Sequence, residues 1–354
     1  MDIDHKEFGN GRIIIILACA VIIIAGMRAA SSIIVPFLLS IFIAIMCSRP
    51  FSWMRRKGVP ASLGILIIFV VIFGIIFGVG AYIGASVSDF LQQLPLYQKR
   101  IHDLMIMIIK WLRTFNIYIS ERMILQYFDP GSIMDIIAGL LSGLGSALTY
   151  TFLILFTVVF ILFESSGFSK KVMMCGTSLR SLDTIDRIVQ SMGKYIALKT
   201  WISLATGIVV MLWLMEIGVN YAVLWGVVAF LFNYIPNIGP FIAAIPPILL
   251  SLVDQGLGSA GLVTLGYVII KTVIGDILEP IFMGKGLSLS MLAVILSLVF
   301  WGWVLGPVGM LLSVPLTMIF KITCESFPST RWIAIILGSE VPATQQDIEA
   351  PEHV

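Results

Sequence analysis

The sequence predicts an all-α polytopic membrane protein of about eight segments, two of them broken, with a small helical insertion on the outer side. Composition is the first reason. Of 354 residues, 59% are hydrophobic and only 12% charged, with a mean hydropathy of +1.04. An ordinary soluble domain is about a quarter charged. The second reason is that the apolar residues gather into runs long enough to cross a bilayer. The third is that two of these runs are too long. As single helices, residues 221–253 and 289–320 would span about 50 and about 48 Å at 1.5 Å per residue. The hydrocarbon core is about 30 Å thick, and tilting absorbs only part of the excess.

Residues 1–84 hold the first three segments. A polar tail carrying Asp2, Asp4 and Glu7 precedes the apolar residues 13–27, and Arg28 follows at once. The acidic tail and the immediate second run, residues 31–48, favour an uncleaved helical pair over a signal peptide with a site at Ala29-Ala30-Ser31. Arg49, Arg55, Arg56 and Lys57 then crowd a short loop. By the positive-inside rule this loop is cytoplasmic, and so is the N-terminus. Pro60 opens the third segment, which ends near Gly84. Its glycines (Gly64, Gly74, Gly78, Gly80, Gly84) suit close helix packing.

Residues 85–145 are more polar and read as an extracytoplasmic module of amphipathic helices. Ile101, Leu104, Met105, Ile108, Ile109 and Leu112 recur at helical spacing opposite Asp103, Lys110 and Arg113. Asp129-Pro130 has the form of a cap followed by proline at the first helical position. Such a module suits the membrane surface or subunit contacts.

Residues 146–325 form the second membrane region. Segment four, 146–163, returns inward, and residues 164–199 are read as a charged cytoplasmic amphipathic stretch bearing Lys194 and Lys199. Segment five, 200–215, has Trp201 and Trp213 near its ends. A further span lies at 261–278. Most of the 22 lysines and arginines then fall on the cytoplasmic side. Residues 326–354 are a cytoplasmic tail, expected to be polar and without order after Arg331.

The breaks themselves are the candidate substrate path. In the first, Asn233, Tyr234, Pro236, Asn237, Gly239 and Pro240 interrupt the helix, because proline lacks a donor and glycine admits non-helical dihedrals. In the second, Trp301 and Trp303 precede Gly306, Pro307 and Gly309. If both are hairpins, the first opens outward and the second toward the cytoplasm, and freed backbone groups near the midplane can meet solute. A pair of kinked full-length helices, or interfacial turns, is the plainer alternative. Lys271, Asp276 and Glu279 are ionisable groups on or beside the 261–278 span, and such groups are site candidates by default. Asp276 and Glu279 share a face on an α-helix. They suit a coupling gate, or else interfacial anchoring and capping.

Other chemistry is excluded. There is no phosphate-loop motif, since Gly284-Lys285 lacks both its upstream glycine and its following hydroxyl. His5, His102 and His353 all fall outside the predicted spans, and no H-E-x-x-H occurs. Neither a metal site nor a catalytic dyad is expected in the bilayer. The chain is read as no enzyme, with no cofactor and no nucleic-acid partner. Its four cysteines suggest no disulfide framework.

Residues 232–247, the Ile277-Leu278-Glu279-Pro280 segment with Met283-Gly284, and residues 300–315 resemble the autoinducer-2 exporter family. The likeness extends over about residues 12–325, and its specific motifs lie in 225–316. It implies an eight-segment fold, a bacterial inner-membrane location, a homo-oligomer, and export of a small polar signal that would modulate quorum sensing and biofilm formation. The family motif maps onto Asn233, Pro236, Gly239, Pro240, Glu279, Pro280, Gly306, Pro307 and Gly309. Some relatives are credited with sodium(lithium)/proton antiport, so that function stands as an alternative. An oligomeric membrane scaffold without solute transport is the third.

Overall fold

The computed structural model describes residues 7–115, 138–139, 151–174, 179–283 and 289–339, and every regular element among them is helical apart from one isolated bridge between Leu289 and Gly338. In chain order these form α1 (Glu7–Ala29), α2 (Ser31–Arg56), α3 (Ala61–Thr114), α4 (Thr151–Met174), α5 (Leu179–Ile217), α6 (Ala222–Phe232), α7 (Gly239–Gln255) and α8 (Leu257–Ile270). A π-helical segment, Lys271–Leu278, continues α8 into α9 (Glu279–Met283), followed by α10 (Met291–Ser326) and α11 (Arg331–Leu337). Among the described residues, five stretches are long and apolar enough to cross a membrane: Ser31–Arg56, Ala61–Asp103, Thr184–Ile217, Leu257–Phe282 and Met291–Ser326. The chain divides into two compact units, residues 1–49, 160–196 and 285–354 in one, and residues 50–159 and 197–284 in the other. The helices α2, α4 and α5 each run through both.

Both over-long runs double back. Asn220 donates its side-chain amide to Asp254 at 2.9 Å. In a straight helix those residues would stand about 51 Å apart. The turn lies between α6 and α7, where Asn237 takes the left-handed region at φ 60°, a conformation asparagine tolerates better than most residues. In α10 the interruption is Gly306, at φ 70° and ψ −156°. The indole N–H of Trp301 donates to Thr317 Oγ1 at 3.1 Å across it, where an unbroken helix would hold them about 24 Å apart.

Matching glycine roles appear in the two turns, but not at the positions the Gly-Pro pairs suggest. A Cβ built on Gly239 would overlap the carbonyl oxygen of Phe232, and one on Gly309 would overlap that of Trp301. These two glycines let the arms touch. Gly306 has open space where its Cβ would be; its role is the positive φ, the part Asn237 plays in the first turn.

The core of the second unit is built around α6. Trp225 and Leu224 are fully buried, packed with Phe90 and Tyr97 of α3, Val210 and Leu214 of α5, Ala243 of α7 and Val263 of α8. The phenyl ring of Phe90 meets Trp225 edge-on at 6.3 Å. At α6 and α5 the backbones nearly touch: a Cβ on Gly226 would lie 2.7 Å from Met211 Cβ and 2.9 Å from the Gly207 carbonyl oxygen. Gly226→Leu should therefore lower unfolding free energy by about 1–3 kcal/mol through overpacking, read as a lower thermal midpoint in detergent. Gly74→Ala, with nothing near the new methyl, should move it little.

Several expectations change. Of the third segment's glycines Gly64 meets the Phe51 ring, 3.4 Å from a built Cβ, whereas Gly74, Gly78 and Gly84 have no neighbour within 4 Å; helices α5 and α6 approach closely at Gly207 and Gly226 instead. The third segment does not stop near Gly84, because α3 continues as 54 residues to Thr114, about 81 Å. The amphipathic stretch 101–113 is its far end rather than a separate helix. Helix α5 likewise joins the charged residues 179–199 and the apolar residues 200–215 in one continuous helix. The chain after Arg331 is not a polar tail at once: Arg331–Leu337 is α11, fixed by the Ser290 N–H donating to the Leu337 carbonyl at 2.9 Å. The Asp129-Pro130 cap, residues 116–137 and 140–145 of the insertion, Gly284-Lys285 and residues 340–354 lie outside the described residues.

Candidate functional site

The first hairpin turn closes against α5 and α8 around one small cavity. Its walls are Thr206 and Val210 of α5, Ala229 of α6, Asn233 in the break, Pro240 and Ala243 of α7, Tyr267 and Ile270 of α8, and Lys271 and Gly275 of the π segment. Three of the predicted site residues, Asn233, Pro240 and Lys271, thus share one space. It measures about 20 Å³, room for a single water. A sugar-sized solute needs it to open.

Side chains add to the turn's own backbone bonds, among them the Ile235 N–H donating to the Phe232 carbonyl at 2.9 Å, in holding the break. Asn233 is buried and donates its amide to Ser203 Oγ of α5 at 2.9 Å. One residue on, the Tyr234 hydroxyl donates to Thr200 Oγ1 at 2.7 Å, while its ring meets Phe230 edge-on. Both bonds satisfy polar groups that burial would otherwise penalise. Pro236 is half-buried, Gly239 buried, and Asn237 exposed. Asn237 therefore shapes the turn without lining the cavity.

The three predicted charges separate into two pairs. Lys271 Nζ donates to Asp276 Oδ2 at 2.8 Å and stands 5.5 Å from the Phe241 ring centre. Glu279 instead accepts from Lys199 Nζ of α5 at 2.5 Å. The π segment explains the sorting. With i→i+5 bonding each residue turns roughly 80°, so residues five apart come within roughly 40° of one another and residues three apart diverge by roughly 120°. Asp276 faces Lys271 and turns away from Glu279. The expectation of one shared acidic face assumed α-helical periodicity throughout. Lys199, read as part of a solvated stretch, is only 4% exposed. That burial comes from the helices packed beside it, which no local pattern encodes.

The mouth of the hairpin is fastened to α3 by a polar network that sequence reading did not single out. Tyr221 donates to Asp89 Oδ2 at 2.5 Å, Gln93 donates to both, and Tyr97 donates to Gln93 at 3.1 Å. Arg100 pairs with Asp254 at 2.6 Å, and Gln255 donates to the Gly218 carbonyl at 2.7 Å. The Tyr221–Asp89, Gln93–Tyr221 and Arg100–Asp254 contacts join residues more than a hundred positions apart in sequence, which hides the association.

The second hairpin, in the other unit, presents its aromatics differently. Trp301 is engaged with Thr317, while Trp303 is 55% exposed and lies beneath the guanidinium of Arg28, 4.6 Å from the ring centre. This is a cation–π contact. Pro307 is exposed and Gly309 buried. Among the described residues no group of histidine, cysteine, aspartate and glutamate could hold a metal.

Comparison with known proteins gives the setting. Residues 16–329 match the model of the AI-2E family transporter. The chain is similar to the AI-2 transport protein TqsA of Escherichia coli (strain K12), at 41% identity over 93% of this chain and 96% of that one. It is 37% identical to the E. coli (strain K12) transport protein YhhT over 98% of this chain and 99% of that one. It is 28% identical to the transport protein YrrI of Bacillus subtilis (strain 168), over 85% and 88%. The names of the last two give no substrate.

Proposed function

We propose that this chain, which belongs to the AI-2E family of transporters, exports a small polar, hydroxyl-bearing signal, autoinducer-2 first among candidates. Membership makes it a multi-pass membrane transporter and not an enzyme. The observation that carries the solute reading is the cavity where the first hairpin break meets the π segment. Asn233, Thr206, Tyr267 and Lys271 border it among otherwise apolar residues, the composition expected for a small polar ligand. The name of TqsA, at 41% identity, supplies the candidate solute.

In this reading both hairpins re-enter the bilayer, each entering and leaving on one face, as broken transporter helices do. The site lies in the bacterial inner membrane, with both termini cytoplasmic and the chain in a homo-oligomer. Opening separates α7 from α8 at Pro240 and Lys271, giving room that the resting cavity lacks. Export lowers cellular signal and restrains quorum responses and biofilm formation.

Deleting the gene should raise the retention of labelled autoinducer-2, and retention equal to that of the parent strain would contradict the proposal. Asn233→Ala should slow export about fivefold, the loss of roughly one hydrogen bond, with membrane abundance unchanged. A second reading, sodium(lithium)/proton antiport, is favoured by the Lys271–Asp276 pair at the cavity wall. It predicts that everted vesicles lose an imposed proton gradient on adding sodium or lithium, and that Asp276→Asn abolishes the loss.

A further inference from the structure

A recess remote in sequence from the hairpin cavity is built around positive charge. It has a volume of about 300 Å³ and is bordered by Arg187 of α5, Lys321 and Glu325 of α10, and Arg331 and Ile335 of α11. Three cations and one carboxylate leave it with a formal charge of +2. Glu325 is shared between Arg187 and Lys321, at 3.5 Å from each. That is well beyond the usual length of a charge-assisted hydrogen bond. Lys321 keeps only 7% of its side chain exposed, whereas Arg187 keeps 62%. The buried lysine forms the floor and the two arginines the rim.

The surroundings indicate what reaches it. Helix α11 turns Trp332 (61% exposed) and Ile336 (68%) outward immediately beside Arg331. A short helix with basic, tryptophan and aliphatic residues in this order has the make-up of an interfacial element, at the boundary of headgroups and acyl chains. It is pinned in place by the Ser290–Leu337 bond, and the recess wall by Thr184 sharing a hydrogen bond with Ser326 at 2.9 Å. Basic recesses beside such an element suit lipid phosphate.

We propose that this recess binds the phosphate of an anionic phospholipid, with Lys321, Arg187 and Arg331 as donors and the acyl chains lying along Trp332 and Ile336. Glu325 competes with the incoming phosphate for Arg187 and Lys321, and so limits affinity. The site is independent of which solute the hairpin cavity carries.

The test uses the full-length protein in detergent, titrated with dioctanoyl-phosphatidylglycerol, dioctanoyl-phosphatidylcholine or inorganic phosphate, with binding read by calorimetry. Phosphatidylglycerol should bind at least tenfold tighter than phosphatidylcholine. The exposed pair Arg187→Gln/Arg331→Gln should weaken it roughly 10- to 30-fold, at about 1 kcal/mol per charge. Lys321 is left intact because removing a buried cation risks the fold. Glu325→Gln should tighten binding several-fold, an outcome a purely structural ion pair would not give. Equal binding of the two lipids, or an unchanged affinity in the double arginine variant, overturns the site. Inorganic phosphate binding as tightly as phosphatidylglycerol overturns the lipid as its source.

Discussion

Glu279→Ala should destabilise the fold by about 3–5 kcal/mol, the usual result of removing one partner from a buried ion pair. The expected loss is asymmetric. Lys199 has 5% of its side chain exposed and Glu279 has 20%. An orphaned Lys199 stays in the apolar interior, whereas an orphaned Glu279 can turn toward water. Lys199→Met should therefore cost less than Glu279→Ala, and the double variant should recover much of the single loss. Thermal unfolding of the four proteins in one detergent measures the cycle. Additive losses would mean that the two side chains do not hold one another. The pair joins α5 to the end of the π segment, so the variants should also alter how readily the cavity wall opens.

The two touching glycines are the next most sensitive points. Gly239→Val and Gly309→Val each place a methyl-bearing carbon on a backbone carbonyl, that of Phe232 or of Trp301. Backbone cannot swing aside as a side chain can. Each should cost about 3 kcal/mol or more, at the top of the overpacking range, with loss of monodisperse protein on size-exclusion chromatography. Gly306→Ala is the informative contrast. Its φ of 70° strains an L-residue, yet nothing obstructs the methyl, so a cost of about 1–3 kcal/mol is expected. Equal behaviour of all three variants would show that the arms do not approach as described.

Much of this architecture could be read from the sequence because one length comparison governs it. Residues 221–253 and 289–320 outrun the bilayer, and proline beside glycine marks where each gives way. The interior of the turns was harder to read. Gly239-Pro240 and Gly306-Pro307 look equivalent as letters, but contact geometry pairs Gly239 with Gly309 and leaves Gly306 the conformational task of Asn237. Charge partners were hidden for a different reason. Assigning Asp276 and Glu279 to one face presumed 3.6 residues per turn, and the wider π segment undoes that. Lys199 and the Asp89–Tyr221 contact depend on which helices lie side by side, and no local pattern encodes that. Helix α11 was lost to the polarity of the residues beyond it. Of the predicted path, Asn233 and Pro240 meet at a cavity with Lys271, one of the predicted gate residues; Tyr234 anchors the break, and Trp301 and Trp303 have partners of their own in the other unit.

A hairpin requires the first long run to turn back before it reaches the far surface, and sided labelling reads this out. Single cysteines replacing Asn220 and Gln255, one at each end of the run, would be treated in intact cells with a membrane-impermeant maleimide, with permeabilised cells as the reference. Labelling of both from the same side is the predicted result. Labelling of one from outside and the other only after permeabilisation would make residues 221–253 a single crossing and contradict the hairpin.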